Sequence, residues 1–519
     1  MSPNDIDRLL DATAFPHPVE KLELIETHIS WVILTGNYAY KIKKPVDLGF
    51  VDFTNLTRRK KFCEEELRLN RRTAPDLYLD VVPIAATAIG PKIAQEPAME
   101  YAVRMRQFPR DARLDRQLES GRLTTGDAQA MATSIAGFHR SLSAKTIEDA
   151  VGELAQAGKF ALDNFSQIRA ALGDDRYQSL LSRLETWTRD QLQRLKPAFE
   201  TRLREGFIRE CHGDLHLGNM VRLDDGIALF DCLEFDPGLR WIDPMNDIAF
   251  LVMDLMAHRR QDLAAVFLNA YLEKSGDYPG LRVLRFYLVY RCLVRAKVSA
   301  LQPGDNPDVP AEPGGNKTAQ YLNLAQSLVA HAEVPHLYLM HGFSGSGKSW
   351  LSDRLIGPLA AICVRSDLER KRLHGIAPAQ SSGSGIETGL YDANATERTY
   401  DCLLRYCEIG LRAGFTMIAD ASFLRQWQRQ RFFALASKLR VELRILDCNA
   451  PLDTLRGRIQ RRTMDPLHVS EAGPEVLEHQ LAHHDPLNVQ EQKHVIRVAI
   501  NEHPDVPGLL RQLRGSSAE

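Results

Sequence analysis

Gly342-Phe343-Ser344-Gly345-Ser346-Gly347-Lys348-Ser349 is a complete G-x-x-x-x-G-K-[ST] loop. An apolar, strand-like run from His336 to Met340 precedes it, and Trp350 to Ile356 reads as the first turns of a helix. Glycines at these positions let the backbone wrap closely around phosphates, so that successive N–H groups and the helix N-terminus face the anion. Gly342, Ser344, Gly345, Ser346 and Gly347 then form the cradle. Lys348 is placed to reach the β- and γ-phosphates, and Ser349 to ligate magnesium. The strand–loop–helix context separates this stretch from a plain Gly/Ser-rich turn. It implies a nucleoside-triphosphate site in an α/β P-loop domain with a mainly parallel sheet.

The residues downstream narrow the chemistry. Ala360 to Val364 reads as a strand and runs into Arg365-Ser366-Asp367-Leu368-Glu369-Arg370. An aspartate at the C-terminal end of a strand beside the P-loop faces the nucleotide crevice, where a substrate hydroxyl needs a base. Asp367 holds that position, which equally permits a helix N-cap. Arg370, one helical turn on, can address substrate or phosphate. Phe415 to Ala419 is a further strand, closed by Asp420, a candidate for magnesium. Val441 to Leu446 reads as another strand. Leu455 to Arg462 reads as a helix with four arginines, of which Arg458 and Arg462 share a face and could neutralise a moving phosphoryl group; a solvated basic face is the alternative. The D-x-x-R placement resembles polynucleotide kinases, zeta-type toxins and gluconate kinases, and that resemblance implies Asp367 as general base. With no ABC-type signature, helicase block or guanine-recognition motif in the chain, the nucleotide expected is ATP, with Mg2+.

A second constellation lies upstream in His212-Gly213-Asp214-Leu215-His216-Leu217-Gly218-Asn219, followed by Leu229-Phe230-Asp231. Phosphoryl transfer needs a carboxylate to take or orient the proton of the attacking hydroxyl, and an amide and a second carboxylate to hold metal. These residues resemble the aminoglycoside-phosphotransferase superfamily, whose fold is protein-kinase-like, α+β and bilobal. The resemblance implies Asp214 as catalytic base, His212 as orienter of the loop, and Asn219 and Asp231 as metal ligands. His216 either lines the site or packs beneath the loop. By the same resemblance Asp243-Pro244-x-x-Asp247 braces the loop, while Phe138-His139 reads as packing. Ala39-Tyr40-Lys41 stands where that fold carries its phosphate-pairing lysine, with Lys43 as a competitor on the same strand face. Glu66, in the acidic run Glu64-Glu65-Glu66, is the chosen partner for the lysine. No G-x-G-x-x-G precedes this strand, so Leu24 to Ser30 must cover the phosphates by other means.

Length and composition frame both readings. At 519 residues the chain exceeds a single core. Hydrophobic content of 44%, charged content of 25% and a net charge of −2 are those of a globular protein without a global nucleic-acid or membrane signature. Eight cysteines without framework spacing fit core packing in a reducing compartment. Cys402/Cys407 and His479/His483/His484 lack partner ligands for a metal site. No run approaches about 18 apolar residues, and a cytoplasmic location is expected. The Pro- and Gly-rich stretch Leu301 to Lys317 divides the chain. The expected organisation is a kinase-like domain over 1–300, a linker with a bracing helix (Thr318 to His331) over 301–334, and a P-loop kinase domain over 335–519. The function expected is transfer of the γ-phosphoryl group of ATP to hydroxyls of small molecules (sugar, polyol or nucleoside type) at two sites. A nucleic-acid end kinase built on Arg365, Arg370, Lys371 and Arg372 is one alternative. A single active kinase governed by a nucleotide-sensing domain is the other. The acceptors, which would meet 120–205, 245–300 and the Gly375 to Tyr391 loop, and the oligomeric state carry no signature.

Overall fold

The computed structural model describes residues 1–47, 52–173, 177–301, 317–330, 334–377, 380, 392–462, 473–500 and 504–515, without the side chains of 147, 149–157, 462 and 515. Most of the Leu301–Lys317 stretch, the Ser381–Gly385 run and the Arg462 side chain therefore lie outside the described residues. The chain forms two compact units, Met1–Ala170 with Thr188–Asp254, and Ala171–Trp187 with Leu255–Glu519.

The first unit begins with a six-stranded antiparallel sheet. Its strands are β1 (Glu23–Glu26), β2 (Ser30–Leu34), β3 (Tyr38–Lys43), β4 (Tyr78–Thr87), β5 (Gly90–Ile93) and β6 (Ala98–Arg106), in the order β1-β2-β3-β6-β4-β5. The expected hairpin at Thr35-Gly36-Asn37 joins β2 to β3. Gly36 has φ +96°, and a Cβ there would come within 2.9 Å of the Glu20 side chain, so only glycine fits. Helix α1 (Leu56–Asn70) is N-capped by the Asn55 side chain, which accepts from the Thr57 N–H. Cys63 of α1, Val103 of β6 and Tyr78 of β4 share a core with Val221 and Ala228. The last two sit on the hairpin β7 (Met220–Leu223) and β8 (Gly226–Leu229) that follows the catalytic-loop sequence. This apolar cluster sets α1 and the sheet against the loop. Helices α2 (Thr125–Ser141) and α3 (Pro244–Ala257) complete the loop's surroundings.

The second unit holds a five-stranded, wholly parallel sheet. Strands β9 (His336–His341), β10 (Ile362–Arg365), β11 (Met417–Asp420), β12 (Glu442–Asn449) and β13 (Val495–Ala499) lie in the order β10-β11-β9-β12-β13. Leu337 to Met340 are all buried, the continuous apolar run of a strand covered on both faces. Strand order reverses around β9, so the switch point falls at its C-terminal end, where the P-loop begins. Helices α4 (Gln261–Ser275) and α5 (Leu281–Ala300) pack within this unit. Asn269 of α4 caps the edge strand: its Nδ2 donates to the Ala361 carbonyl at 2.7 Å and its Oδ1 accepts from the Cys363 N–H at 2.7 Å. Those are backbone groups that an edge strand leaves unpaired. The sequence marks its break at Leu301, whereas packing assigns these two helices to the P-loop unit. A further helix, Lys317–Ala330, lies against α5 and buries Tyr321, Leu322 and Ala325. Around the P-loop follow α6 (Lys348–Leu359), α7 (Ser366–Leu373), α8 (Ala393–Arg412), α9 (Gln426–Leu439), α10 (Leu452–Arg462), α11 (Pro474–Ala482) and α12 (Val506–Gly515).

Candidate active sites

In the first unit β3 alternates its side chains, so Lys41 and Lys43 leave the same face of the sheet. Both meet Glu66 of α1: Lys41 Nζ donates to Oε1 at 2.8 Å and Lys43 Nζ to Oε2 at 2.8 Å. The two lysines then diverge. Lys41 also pairs with Asp231 Oδ1 at 2.5 Å, whereas Lys43 pairs with Glu234 and is wholly buried. Glu65, the neighbour in the acidic run, pairs with Arg68 and Arg240 instead. Lys41 is thus the lysine that reaches the second acidic residue of the constellation, and Lys43 is an internal brace.

Asp231 follows β8 with φ +63°, a left-handed turn that aspartate tolerates better than most residues. Its N–H donates to Tyr78 Oη at 3.0 Å, and the next N–H, of Cys232, donates to Asn70 Oδ1 at 2.8 Å. Asn70 donates in turn to the Glu66 carbonyl at 2.8 Å. The last turn of α1 therefore holds the backbone that carries Asp231.

The loop residues from His212 onward hang on Asp247 of α3. Its two carboxylate oxygens accept from the N–H groups of His212 and Gly213, each at 2.9 Å, and from His139 Nε2 at 3.1 Å. Burial opposes the charge of Asp247, but the His139 hydrogen bond, the His139 and His212 imidazoles and the loop N–H hold its carboxyl below the ordinary value. Gly213 has φ +84°, and a Cβ would meet the Leu239 carbonyl at 2.9 Å. His212 accepts from the Asp214 N–H at Nδ1, at 3.4 Å, so Nε2 carries the proton and donates to the Phe230 carbonyl at 3.0 Å. Burial pushes the His212 pKa down, in keeping with a neutral ring.

Asp214 is partly open, with its side chain 35% exposed. Asn219 Nδ2 donates to its Oδ2 at 2.9 Å, and His216 Nε2 lies 3.4 Å from the same oxygen. His216 also rests against Phe250, with ring centroids 5.4 Å apart. It therefore does both things that the sequence left open: it touches the acid and packs beneath the loop. Asp254 accepts from the Leu217 N–H at 3.0 Å. The β1–β2 turn, closed by Thr27 and Ser30, stands where a glycine-rich loop is missing.

The charge balance of this centre has a measurable consequence. Burial opposes the Glu66 carboxylate, but Lys41 and Lys43 pull it down to about 2 from an ordinary 4.5. The unfolded chain takes up this proton near 4.5 and the folded chain only near 2, so the stabilisation is present above the first value and fades as pH falls towards the second. The Tm difference between wild type and Glu66→Gln should be largest near neutral pH and narrow as the medium is acidified below about 4.5. Thermal melts of both proteins across that range check it.

In the second unit the P-loop takes the conformation its glycines allow: Gly342, Gly345 and Gly347 have φ of +139°, +81° and +94°. A Cβ at Gly345 would meet the Leu455 carbonyl of α10 at 2.9 Å, and at Gly347 it would meet Ile500 at 2.6 Å. Lys348 Nζ donates to the carbonyls of Gly342 and Phe343, both at 2.8 Å. Ser346 Oγ and Asp420 Oδ2 are buried without a hydrogen-bond partner among the described residues, although Arg365 Nη1 lies 3.6 Å from the Asp420 oxygen as an ion pair. Burial raises the Asp420 pKa, opposed by Arg365, Lys348 and the Ser349 hydroxyl, which bonds to it. Buried polar groups left unpaired are uncommon. A donor in the cradle and a carboxylate beside Ser349 are the two groups that a magnesium-bound triphosphate would satisfy, so these residues fit that ligand.

Asp367 is the second residue of α7 and half-buried; the N-cap position belongs to Arg365, which makes no side-chain cap bond. Asp367 lies in electrostatic reach of Asp420 and Tyr400. Arg370 is buried, with Nη1 3.4 Å from Thr396 Oγ1. The four basic residues at 365–372 make no exposed basic face. Arg365 pairs with Glu273, Asp353 and Asp420, Arg372 pairs with Glu369, and Arg370 and Lys371 are buried. On α10, Arg458 reaches the loop, donating to the carbonyls of Gly345 at 3.3 Å and Ile500 at 3.0 Å. Arg456 pairs with Glu478 on the surface, and Arg461 folds back on Gly457.

Sequence reasoning missed several residues of these sites. Glu234 and Asn70 are partners of residues it did name, and Asn70 stands one helical turn after Glu66, a spacing that could have drawn notice. Gln480 of α11 had no signal: its Oε1 accepts the Ser344 N–H of the P-loop at 2.8 Å. The sequence suggests only packing for His139, and its bond to Asp247 adds a polar role. His139, Cys211 and Asp247 also form the one cluster of metal-ligand types among the described residues; His139 is bonded to Asp247, Asp247 to the loop N–H groups, and the Cys211 thiol to the Ile242 carbonyl. No helix of the described residues is long and apolar enough to cross a membrane.

Residues 64–287 match the model of the phosphotransferase enzyme family, and residues 337–487 match that of an AAA domain. Uncharacterised proteins of Mycobacterium tuberculosis and Mycobacterium bovis are each 29% identical to the chain over 456 residues, covering 87% of it and 89% of their own length. Among solved structures, a choline kinase from Cryptosporidium parvum is 11% identical and covers 63% of this chain and 94% of its own, with a TM-score of 0.39. A gluconokinase from Sinorhizobium meliloti is 16% identical, covers 36% and 93%, and has a TM-score of 0.25. The chain thus carries a region similar to the phosphotransferase enzyme family, followed by a region with a P-loop, and it is an enzyme of the kinase class.

Proposed function

We propose that both domains are phosphotransferases, each moving the γ-phosphoryl group of ATP onto a hydroxyl of a small molecule. The observation that carries the reading is the pairing of Lys41 with Asp231 and of Asn219 with Asp214, the two pairs joined where the Phe230 N–H donates to the Asn219 carbonyl at 3.0 Å. In the first domain Asp214 takes the hydroxyl proton as the acceptor oxygen bonds to phosphorus and ADP leaves. Lys41 neutralises phosphate charge, and Asn219 and Asp231 would hold magnesium. In the second domain the P-loop and Lys348 bind the phosphates, Ser349 and Asp420 would hold magnesium, Asp367 receives the proton, and Arg370 and Arg458 balance charge. Magnesium, where bound, supplies electrostatic stabilisation of the transferring group. The buried, paired state of the basic residues at 365–372 speaks against a nucleic-acid end kinase, which needs an exposed basic groove.

The test is transfer of labelled γ-phosphate from ATP across pooled sugars, polyols, nucleosides, choline-like alcohols and oligonucleotides. Wild type, Asp214→Asn and Asp367→Asn are run side by side. Loss of a different product in each variant is the expected result. One variant that matches wild type for every product would reduce the proposal to a single kinase, and labelled oligonucleotide would revive the nucleic-acid reading.

A further inference from the structure

The P-loop of the second domain is gripped by an element that the sequence did not connect with it. Gln480 of α11 places Oε1 2.8 Å from the Ser344 nitrogen, taking an N–H of the phosphate cradle. Phe343, the residue before, packs on the apolar cluster of Leu455, Ile459 and Leu477, and its ring meets the His484 ring edge-on at 5.2 Å. The C-terminal end of α11 is anchored as well: the Asp485 N–H donates to the Leu424 carbonyl at 2.8 Å, and Asp485 Oδ2 accepts from the Gln426 N–H at 2.8 Å. With Leu477 fully buried, withdrawing the helix would expose that apolar side chain to water. Turning the terminal amide costs far less, because that torsion is broad and roughly two-fold.

We propose that Gln480 is a ligand of the terminal phosphate. A phosphate oxygen that claims the Ser344 N–H must take the place of Gln480 Oε1 and so lies against this amide. With α11 fixed, the amide turns over and Nε2 donates to the phosphate oxygen, so one side chain satisfies the cradle in both states. An amide can do this because it carries a donor and an acceptor on one planar group; a glutamate cannot. The inference rests on nucleotide binding at the P-loop and adds a residue that distinguishes a triphosphate from a diphosphate.

The test uses the full-length chain with Mg2+, titrated with ATP and separately with ADP, and followed by hydrogen exchange of peptides spanning 337–351. That readout isolates this site from any other nucleotide site in the chain. Wild type, Gln480→Ala, Gln480→Glu and Lys348→Ala are compared. Gln480→Ala should weaken ATP about three- to tenfold, as loss of one charge-assisted hydrogen bond implies, and leave ADP within about twofold. Gln480→Glu, of the same shape, should weaken ATP further. An unchanged ATP-to-ADP ratio in both Gln480 variants, or tighter ATP binding in Gln480→Ala, overturns the proposal; the latter would make Gln480 a competitor of phosphate. Protection that is absent in wild type, or unaltered in Lys348→Ala, overturns the underlying P-loop reading instead.

Discussion

Asp214→Asn should lower kcat of the first domain by about 10²–10⁴-fold, the usual range for a positioned general base, with KM for ATP nearly unchanged. Asparagine keeps the shape and one oxygen, so the hydrogen bond from Asn219 Nδ2, now 2.9 Å long, can survive. The variant cannot accept the proton of the attacking hydroxyl. Because Asp247 fixes the loop through the N–H groups of His212 and Gly213, the substitution should leave the backbone in place, and thermal stability should hold. His216→Ala is the informative companion. His216 lies 3.4 Å from Asp214 Oδ2; on the proposed mechanism it orients Asp214 and receives no proton, so its loss should be smaller, on the order of tenfold. Initial rates with the acceptor found by pooled transfer give both numbers. A loss below tenfold in Asp214→Asn would show that the proton leaves by another route.

How much of this was legible depends on the kind of signal each residue leaves. Short motifs with fixed spacing survive translation into space: Gly342 to Ser349 forms the loop that its spacing predicts, and His212 to Asn219 closes on itself through the Asn219–Asp214 bond. The kinase-like order of a mixed lobe, helices and a second hairpin also follows from period and turn chemistry, as at Thr35 to Asn37. Residues that act through one tertiary contact leave no such trace. Glu234 and Gln480 stand alone among ordinary neighbours, and only folding brings them to Lys43 and Ser344. Asp254 is hidden in the same way within an apolar helix. The helices α4 and α5 are rich enough in apolar residues to announce burial, but nothing in their pattern names the unit into which they pack. Strand β13, Val495–Ala499, alternates buried and exposed residues and was readable by period, yet it is too short to stand out.

The paired lysines of β3 offer a separation of stability from catalysis. Lys43→Met should destabilise the first unit by about 3–5 kcal/mol, the usual cost of stripping one partner from a buried ion pair. Burial opposes the Lys43 charge, but Glu234 and Glu66 hold its pKa above the ordinary lysine value. Removing it leaves Glu234, whose pKa burial already raises, without its neutralising partner. At about 2–4 °C per kcal/mol for a domain of this size, the Tm should fall by roughly 6–20 °C. Lys43→Met combined with Glu234→Leu should recover much of that loss, because an apolar pair of similar volume can replace a buried ion pair. Lys41→Met makes the contrast. Lys41 keeps 12% of its side chain exposed and faces the 44% exposed Asp231, so solvent screens the carboxylate that it abandons. Its Tm should fall less, while transfer by this domain should fall steeply. Thermal melts and transfer rates on the three variants decide the matter: if Lys43→Met loses activity at full stability, Lys43 and not Lys41 is the phosphate-pairing lysine.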